Sequence, residues 1–399
     1  MYTILNEMTK INQLELKKTQ LNQWIRKQAE KMGFDLVGIV PADPPKLIDR
    51  YREWLNLGYA GEMEYLHRHF PLKQDPKNLL PEVKSVISLG LNYYTVEPDA
   101  VRKLDPTRGQ ISRYAWGEDY HDVIRKRLKR LVKKIEKRLK RETKSRVFVD
   151  SGPILERDYA QTAGLGWIGK NTNLINWQKG SWYFLAEILI SLDLGVDVLP
   201  ARGSCGSCTL CIEACPTDAI VAPNQVDARS CISYLTVELK EAIPMDLRPG
   251  LGNLIFGCDI CQEVCPWNTK SQPTSVKEFQ PRKGNLLPKL ADLIGITQNE
   301  FSQKFKGSPI KRTKRRGLLR NVVVAMGNSK DPSMVEPLQS AILDVEPLVR
   351  QHAAWALGQI ATPLAKTILK KKLQNEKNIE VIIEIESALQ IIESENIKD

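Results

Sequence analysis

No cysteine stands outside positions 205–265 of this 399-residue chain, and no hydrophobic run approaches the length of a membrane span. The longest nearly apolar stretch, residues 182–190, is interrupted by Glu187 and has about half the length needed to cross a bilayer, so no membrane association is expected. The N-terminus, MYTILNEMTKINQLELKK, has no apolar core of signal-peptide length, no small-residue cleavage site and no twin arginine; a cytoplasmic location is expected. Nucleotide signatures are missing as well. With neither G-x-G-x-x-G nor a P-loop, a Rossmann nicotinamide site is not supported. The absence of Cys-x2-Cys-His excludes covalent haem.

What is present describes a multidomain globular chain. Hydrophobic residues make up 42% and charged residues 26%, enough for packed cores. At roughly 150 residues per domain the length suggests two or three units, and three are expected. The formal charge of +11 is concentrated: thirteen of the 22 positions from 125 to 146 are Lys or Arg, and a second cluster holds Lys311, Arg312, Lys314, Arg315 and Arg316. Two such fields point to a polyanionic partner, against the blander reading of a solvated helix face.

Residues 1–195 alternate helical and strand-like patterns and read as an α/β domain. Segments 34–40, 85–94, 146–150 and 182–191 look like strands, and the basic stretch 120–142 looks like a long helix. Residues 196–275 are rich in Cys, Pro and Gly with little periodicity, as expected where metal ligation organises the chain. Residues 276–399 become helical and repeat. Ala325-Met326-Gly327 superimposes on Ala356-Leu357-Gly358 at an offset of 31, and Ala388-Leu389 follows Ala356-Leu357 by 32. Stacked, HEAT-like helix pairs are expected, too few to stand without support from the rest of the protein. The fold class is α+β multidomain.

The strongest signal is Cys205-x2-Cys208-x2-Cys211-x3-Cys215-Pro216, followed by Cys231 and by Cys258-x2-Cys261-x3-Cys265-Pro266. Three thiolates at two-residue gaps can take three corners of one cubane, while the fourth, at its proline turn, serves a second. Two [4Fe-4S] clusters follow, one on Cys205, Cys208, Cys211 and Cys265, the other on Cys215, Cys231, Cys258 and Cys261. Zinc is the competing reading, but its sites usually pair separated Cys-x2-Cys knuckles. Two clusters wire electrons without themselves reducing anything organic, so an acceptor is expected in the α/β domain.

Asp150 ends a strand just before a helix, at the edge where ligands of α/β sheets collect; it could equally cap that helix. The run Gly-Leu-Gly-Trp-Ile-Gly-Lys-Asn (164–171) offers amide donors, as a turn or as a cofactor cradle. Taken with RYAWGEDYH (113–121), VDSGPILER (149–157), CISYLT (231–236), the eight cysteines and the helical tail, the chain resembles the epoxyqueuosine reductases, cobalamin-dependent iron–sulfur enzymes of the last step of tRNA queuosine synthesis.

The resemblance implies base-off cobalamin between the α/β domain and the ferredoxin module. The Asp-x-His-x-x-Gly motif is broken at Ile124, so no protein histidine ligand to cobalt is expected. Asp150 matches the family's proton donor and needs a raised pKa to act near neutrality. Tyr120 and His121 are expected at the nucleoside or the reactive face of cobalamin, and Arg113, Lys170, Asn171, Thr172 and Ser233 as further cobalamin contacts. The polyanion would be the tRNA anticodon arm, the electrons would come from an external donor, and the chain is expected to be a monomer. The rivals are a cobalamin-dependent reductive dehalogenase and a non-enzymatic iron–sulfur or RNA-binding electron-transfer protein.

Overall fold

The computed structural model describes residues 2–96, 105–196 and 202–395. The N-terminal part comprises α1 (Tyr2–Glu30), β1 (Leu36–Pro41), α2 (Ile48–Asn56), α3 (Glu64–Lys73), β2 (Ser85–Asn92), β3 (Gln110–Ile111), α4 (Tyr120–Leu139), β4 (Ser145–Val149), α5 (Glu156–Thr162), β5 (Trp167–Ile168), β6 (Leu174–Ile175) and β7 (Tyr183–Ile190). Four strands form one sheet in the order β1-β2-β7-β4. Helix and strand alternate as expected, but every pairing in this sheet is antiparallel. The reason lies in the connections. The α2–α3 excursion returns to the edge it left, with Pro41 opposite Ser85, and the chain beyond β4 likewise comes back beside its own exit, with Val149 opposite Ala186.

Each face of the sheet has its own apolar cover. Ile39, Ile87, Leu89, Ile188 and Ile190 pack under α1 and α4; Val40, Val86, Phe148 and Leu189 pack under α5. Helix α4 buries Tyr120, Ile124, Leu128, Leu131 and Ile135, a 3–4 residue spacing that keeps one stripe inward, while Arg125, Lys126, Lys129, Arg130, Lys133 and Lys137 remain exposed. Burying each of those aliphatic side chains contributes about 1.5–3 kcal/mol. Asp119 caps the helix by accepting the His121 amide, and Lys140, left-handed at φ 51°, closes it at Leu139, short of the expected Glu142.

The cysteine region carries only short elements, α6 (Leu210–Glu213), α7 (Ile232–Val237), β8 (Leu254–Phe256) and α8 (Ile260–Glu263). Strand β8 pairs in parallel with β3, stitching this region to the N-terminal part. The remainder is helical: α9 (Gln298–Lys304), α10 (Lys314–Ser329), α11 (Val335–Ala341), α12 (Pro347–Ile360), α13 (Pro363–Leu373) and α14 (Ile379–Glu395). The small residues of the sequence repeat are where these helices touch. A β-carbon on Gly327 would stand 2.8 Å from the Cα of Ala356, and one on Gly358 would stand 2.8 Å from the Cβ of Ala388.

The helical repeats lean on the cysteine region through buried polar ties. Arg320, fully buried, donates to the carbonyls of Leu239 at 3.0 Å and Glu241 at 2.7 Å, and also to that of Leu235. Asn321 Nδ2 donates to Thr236 O at 2.8 Å and Ile255 O at 2.9 Å. Arg248 and Glu384 form a bidentate pair at 2.8 and 3.1 Å. His352 accepts the Ile243 amide at 3.1 Å, and burial drives its pKa well below the usual histidine value, so it is neutral.

Among the described residues, no helix is long and apolar enough to cross a membrane.

Candidate active site

None of the eight cysteines is in a disulfide. The one-turn helices α6 and α8 carry Cys211 and Cys261 and pack against each other, each followed by a Cys-Pro turn that sends the last thiol of its run elsewhere. Electrostatic neighbourhood sorts the thiols into two groups. Cys211 senses Cys205, Cys265 and Cys208; Cys265 senses Cys205 and Cys208. Cys258 senses Cys231 and Cys215, and Cys261 senses Cys258 and Cys231 first and then, across the two groups, Cys211. Cys265 thus joins the first run and Cys215 the second. Burial pushes Cys258 up to about 12 and Cys261 well above the ordinary thiol value, and by surface Cys265 is the most enclosed of the eight. Among the described residues no three such side chains close on one point as they would round a single bare ion.

Donors point at these sulfurs. The Lys170 amide lies 3.4 Å from Cys205 Sγ, and the Ala219 amide 3.3 Å from Cys215 Sγ. The buried indole N–H of Trp167, packed with Cys265, Cys205 and Trp267, has no acceptor among the described residues. It is placed for a sulfur acceptor brought by a cluster.

The Gly-Trp-Ile-Gly-Lys-Asn turn serves the cysteine loops directly. Lys170 Nζ donates to Cys208 O at 2.9 Å and Asn171 Nδ2 to Cys261 O at 3.0 Å, while Thr172, at φ 65°, accepts Arg157 Nη1 through its carbonyl at 2.8 Å. Arg113, also expected at cobalamin, is buried against Asp259 and Glu263 and lies over the rings of Trp116 and Trp182. Its guanidinium holds the junction between the N-terminal part and α8. Ser233 sits half-buried in the first turn of α7, two residues after Cys231.

The second assembly lies where β4 ends. Asp150 has a left-handed backbone, φ 54°, unusual for a non-glycine residue and costing about 1 kcal/mol or more. Tyr120 Oη, from the first residue of α4, donates to Asp150 Oδ2. His121 Nε2 stands 3.6 Å from the same oxygen, and its Nδ1 lies 2.8 Å from Asp119 Oδ1. Tyr120 is stacked between His121 and Phe184, with both ring centroids 4.1 Å away. Sequence order alone brings Tyr120 and His121 together; folding adds Asp150 from another element.

Burial works against charge on His121, but the hydrogen bonds and charges of Asp119 and Asp150 prevail and lift it to about 9, so the ring is an imidazolium at neutral pH. Asp150 departs from the expected raised pKa. Burial pulls its carboxyl up, yet the bonds from His121 and Tyr120 win and hold it below the usual carboxylate range. Its side chain remains 59% exposed.

Sequence reasoning missed several neighbours. Tyr65 of α3 senses Glu238, Arg312 and Asp150. Arg312, read from sequence only as part of a basic cluster, bonds Glu238 at 2.5 Å, and its charge contributes to depressing Asp150. Tyr114 joins the two assemblies: its ring is edge-on to Tyr120 at 6.2 Å and 5.9 Å from Phe256, two residues before Cys258. Behind Asp119 opens a cleft of about 930 Å³ whose lining includes Lys126, Arg127, Arg130 and Arg282 beside Glu118 and Asp122.

Comparison with known proteins agrees region by region. Residues 73–151 match the family model "Epoxyqueuosine reductase QueG, DUF1730", residues 204–268 a 4Fe-4S double cluster binding domain, and residues 313–390 HEAT repeats. An epoxyqueuosine reductase of Escherichia coli K12 is 41% identical over 367 residues, 92% of this chain and 96% of that one. One of Leadbetterella byssophila is 48% identical over 299 residues, 75% of this chain and 96% of the relative. A crystal structure of epoxyqueuosine reductase with an epoxyqueuosine-modified tRNA-Tyr stem loop superimposes with a TM-score of 0.87 at 34% identity, covering 94% of this chain and all of that one. The iron–sulfur reading of the cysteines therefore stands over zinc, and the chain belongs to the epoxyqueuosine reductase family.

Proposed function

We propose that this protein removes the epoxide oxygen of epoxyqueuosine at the wobble position of tRNA, giving queuosine. The observation that carries the reading is the strand-end carboxylate of Asp150, held by Tyr120 and His121 and linked through Tyr114 to the segment bearing Cys258. Both C–O bonds of the epoxide break, a C=C bond forms, and the oxygen leaves as water; two electrons and two protons are consumed.

The donor sets suit the groups that this chemistry needs. Two fourfold thiol groups with amide and indole donors at their sulfurs fit two [4Fe-4S] clusters, on Cys205, Cys208, Cys211 and Cys265 and on Cys215, Cys231, Cys258 and Cys261. Tyr120, His121, Asp150 and Ser233 would face cobalamin, whereas Arg113, Lys170, Asn171 and Thr172 are engaged with protein partners and would act by holding the cluster loops and the domain junction. His121 is protonated with both ring nitrogens beside carboxylates, which supports a cobalamin without a protein histidine ligand. When bound, the clusters and cobalamin supply strongly reducing electrons.

The chain's own residues supply protons and position. At rest the mobile proton lies on His121, with Nε2 facing Asp150 Oδ2. A substrate that covers the exposed carboxylate expels water and raises the proton affinity of Asp150, so the proton can pass from Nε2 to Oδ2 and on to the epoxide oxygen. The exposed cations of α4 would neutralise phosphates of the anticodon arm, leaving recognition of the modified base to the pocket. A relative from Bacillus subtilis, 34% identical with a TM-score of 0.86, is described with its aspartate catalytic loop swung out of the active site; Asp150 on its left-handed turn is the corresponding mobile group in this reading. We take the chain to be a cytoplasmic monomer fed by an external electron donor.

The test is anaerobically reconstituted protein with cobalamin and a chemical reductant, given tRNA carrying epoxyqueuosine or halogenated aromatics. Loss of one oxygen from the nucleoside is expected by mass spectrometry. Dehalogenation with untouched tRNA would overturn the reading.

A further inference from the structure

Glu187 is fully buried in the middle of β7, a place where an acidic residue has little reason to be. Its register partners are Ser88 on β2 and Phe148 on β4, so it points to the sheet face covered by α5. One carboxyl oxygen reaches Ser88 Oγ at 3.4 Å; the other is buried with no partner. Two further ionisable groups meet it there. Glu156, in the first turn of α5, also has a buried oxygen without a partner and lies near enough to Asp150 to feel its charge. Lys73, the last residue of α3, is buried with Nζ 3.0 Å from Ile154 O and near both carboxyls.

We propose that Glu187, Glu156 and Lys73 form a buried proton store behind the strand end, which reloads the Asp150–Tyr120–His121 group while product still covers the site. This rests on the reductase reading. Each turnover takes two protons from a site whose open side is covered by a substrate as large as tRNA, so replacement from the front is blocked while product is bound. The rear is different. Glu156 lies near the Asp150 turn on the sheet face covered by α5, and Glu187 extends the line one strand further in.

The step balances without any redox partner. A proton leaves Glu156 for Asp150 Oδ, Glu187 returns one to Glu156, and Lys73 passes one inward and recovers it from water at its edge of α3. Charge at the store is set by facing groups on each packed element: Lys73 from α3, Arg157 and Tyr159 from α5, Asp150 from the end of β4, and Ser88 from β2. On the same face of β4, Arg146 is turned to Leu79 O and the Phe148 ring. Burial, ahead of the Asp150 charge, pushes Glu156 up to about 8, and it brings Lys73 down to about 8. One carboxyl can therefore hold a proton at neutral pH.

The decisive experiment pairs infrared spectroscopy of the whole cofactor-loaded protein with turnover kinetics, using Glu187→Gln and, as a second variant, Lys73→Met. Wild type is expected to show a protonated-carboxyl carbonyl band at neutral pH that weakens in Glu187→Gln. Single-turnover rates should stay within about twofold, while steady-state rates fall about tenfold and fall further as pH rises. Absence of the band in wild type, equal losses in first and later turnovers, or unchanged steady-state rates in both variants would each overturn the store. Asp150→Asn run alongside separates the two readings. Wild-type turnover in that variant removes the Asp150 role itself, whereas the band is read without substrate.

Discussion

Tyr120 Oη donates its hydrogen bond to Asp150 Oδ2, tying the first residue of α4 to the residue that follows β4. The bond crosses from a helix to a strand end, and it holds a non-glycine residue at φ 54°. Asp150→Asn should lower the rate of epoxide removal by ~10²–10⁴-fold, the usual worth of a positioned general acid, with tRNA affinity nearly unchanged. Tyr120→Phe should cost less, since the carboxylate survives. Nucleoside mass spectrometry and a filter-binding titration check both; wild-type turnover in Asp150→Asn would remove the assignment.

His121 gives a pH dependence whose sign is set by its raised pKa of about 9. The stabilisation from its ion pairs is fully present below the unfolded value near 6.5 and is lost as pH rises through about 9. Denaturant midpoints of wild type and His121→Gln should differ most at pH 6 and converge by about pH 10, with a gap of at most about 3 kcal/mol. A gap that grows with pH would contradict the imidazolium.

Cys265 lies far along the chain from Cys211 yet shares its neighbourhood. Cys265→Ala should therefore damage the cluster of the first run, and Cys215→Ala that of the second. Iron content after anaerobic reconstitution should fall from about eight toward about four per chain in each variant. The two should leave different residual paramagnetic resonance spectra; identical spectra would mean that the ligands do not cross over.

Arg248 and Glu384 are 3% and 5% exposed and bidentate, so removing one partner leaves a buried charge. Glu384→Ala should destabilise the protein by about 3–5 kcal/mol, whereas replacing both residues with apolar ones of similar volume should cost much less. Because Arg248 belongs to the loop between Cys231 and Cys258, cluster retention should fall with stability in the single variant.

Charge reversal at Lys129, Arg130 and Lys133, all exposed on α4, should weaken tRNA binding and flatten its salt dependence by about one unit of slope for each phosphate no longer neutralised. Nitrocellulose binding across a salt series measures this. An unchanged slope would place the RNA elsewhere.

Much of the site was legible because ligation chemistry is written in local spacing. Cys-x2-Cys-x2-Cys-x3-Cys-Pro constrains thiols whatever surrounds them, and the recurrence of small residues at Ala325–Gly327 and Ala356–Gly358 reflects backbones that pack within touching distance. That the basic stretch from Tyr120 forms a long helix was likewise readable, while its buried stripe was seen only in the fold. Antiparallel pairing in the sheet was not, since alternation of helix and strand does not say at which edge a connection re-enters.

The sequence by itself determined which segment carries the 4Fe-4S double cluster domain, where the positive charge is concentrated and where the helical repeat recurs, because each depends on neighbours within a few positions. Only the tertiary structure decided the ionisation of the strand end. Asp150 is held ionised, against the sequence expectation, because Tyr120 and His121 reach it across the fold, and Glu187 and Lys73 meet Glu156 only where three elements close on one sheet face. A pKa is a property of the packed environment, and residues far apart in the chain supply that environment.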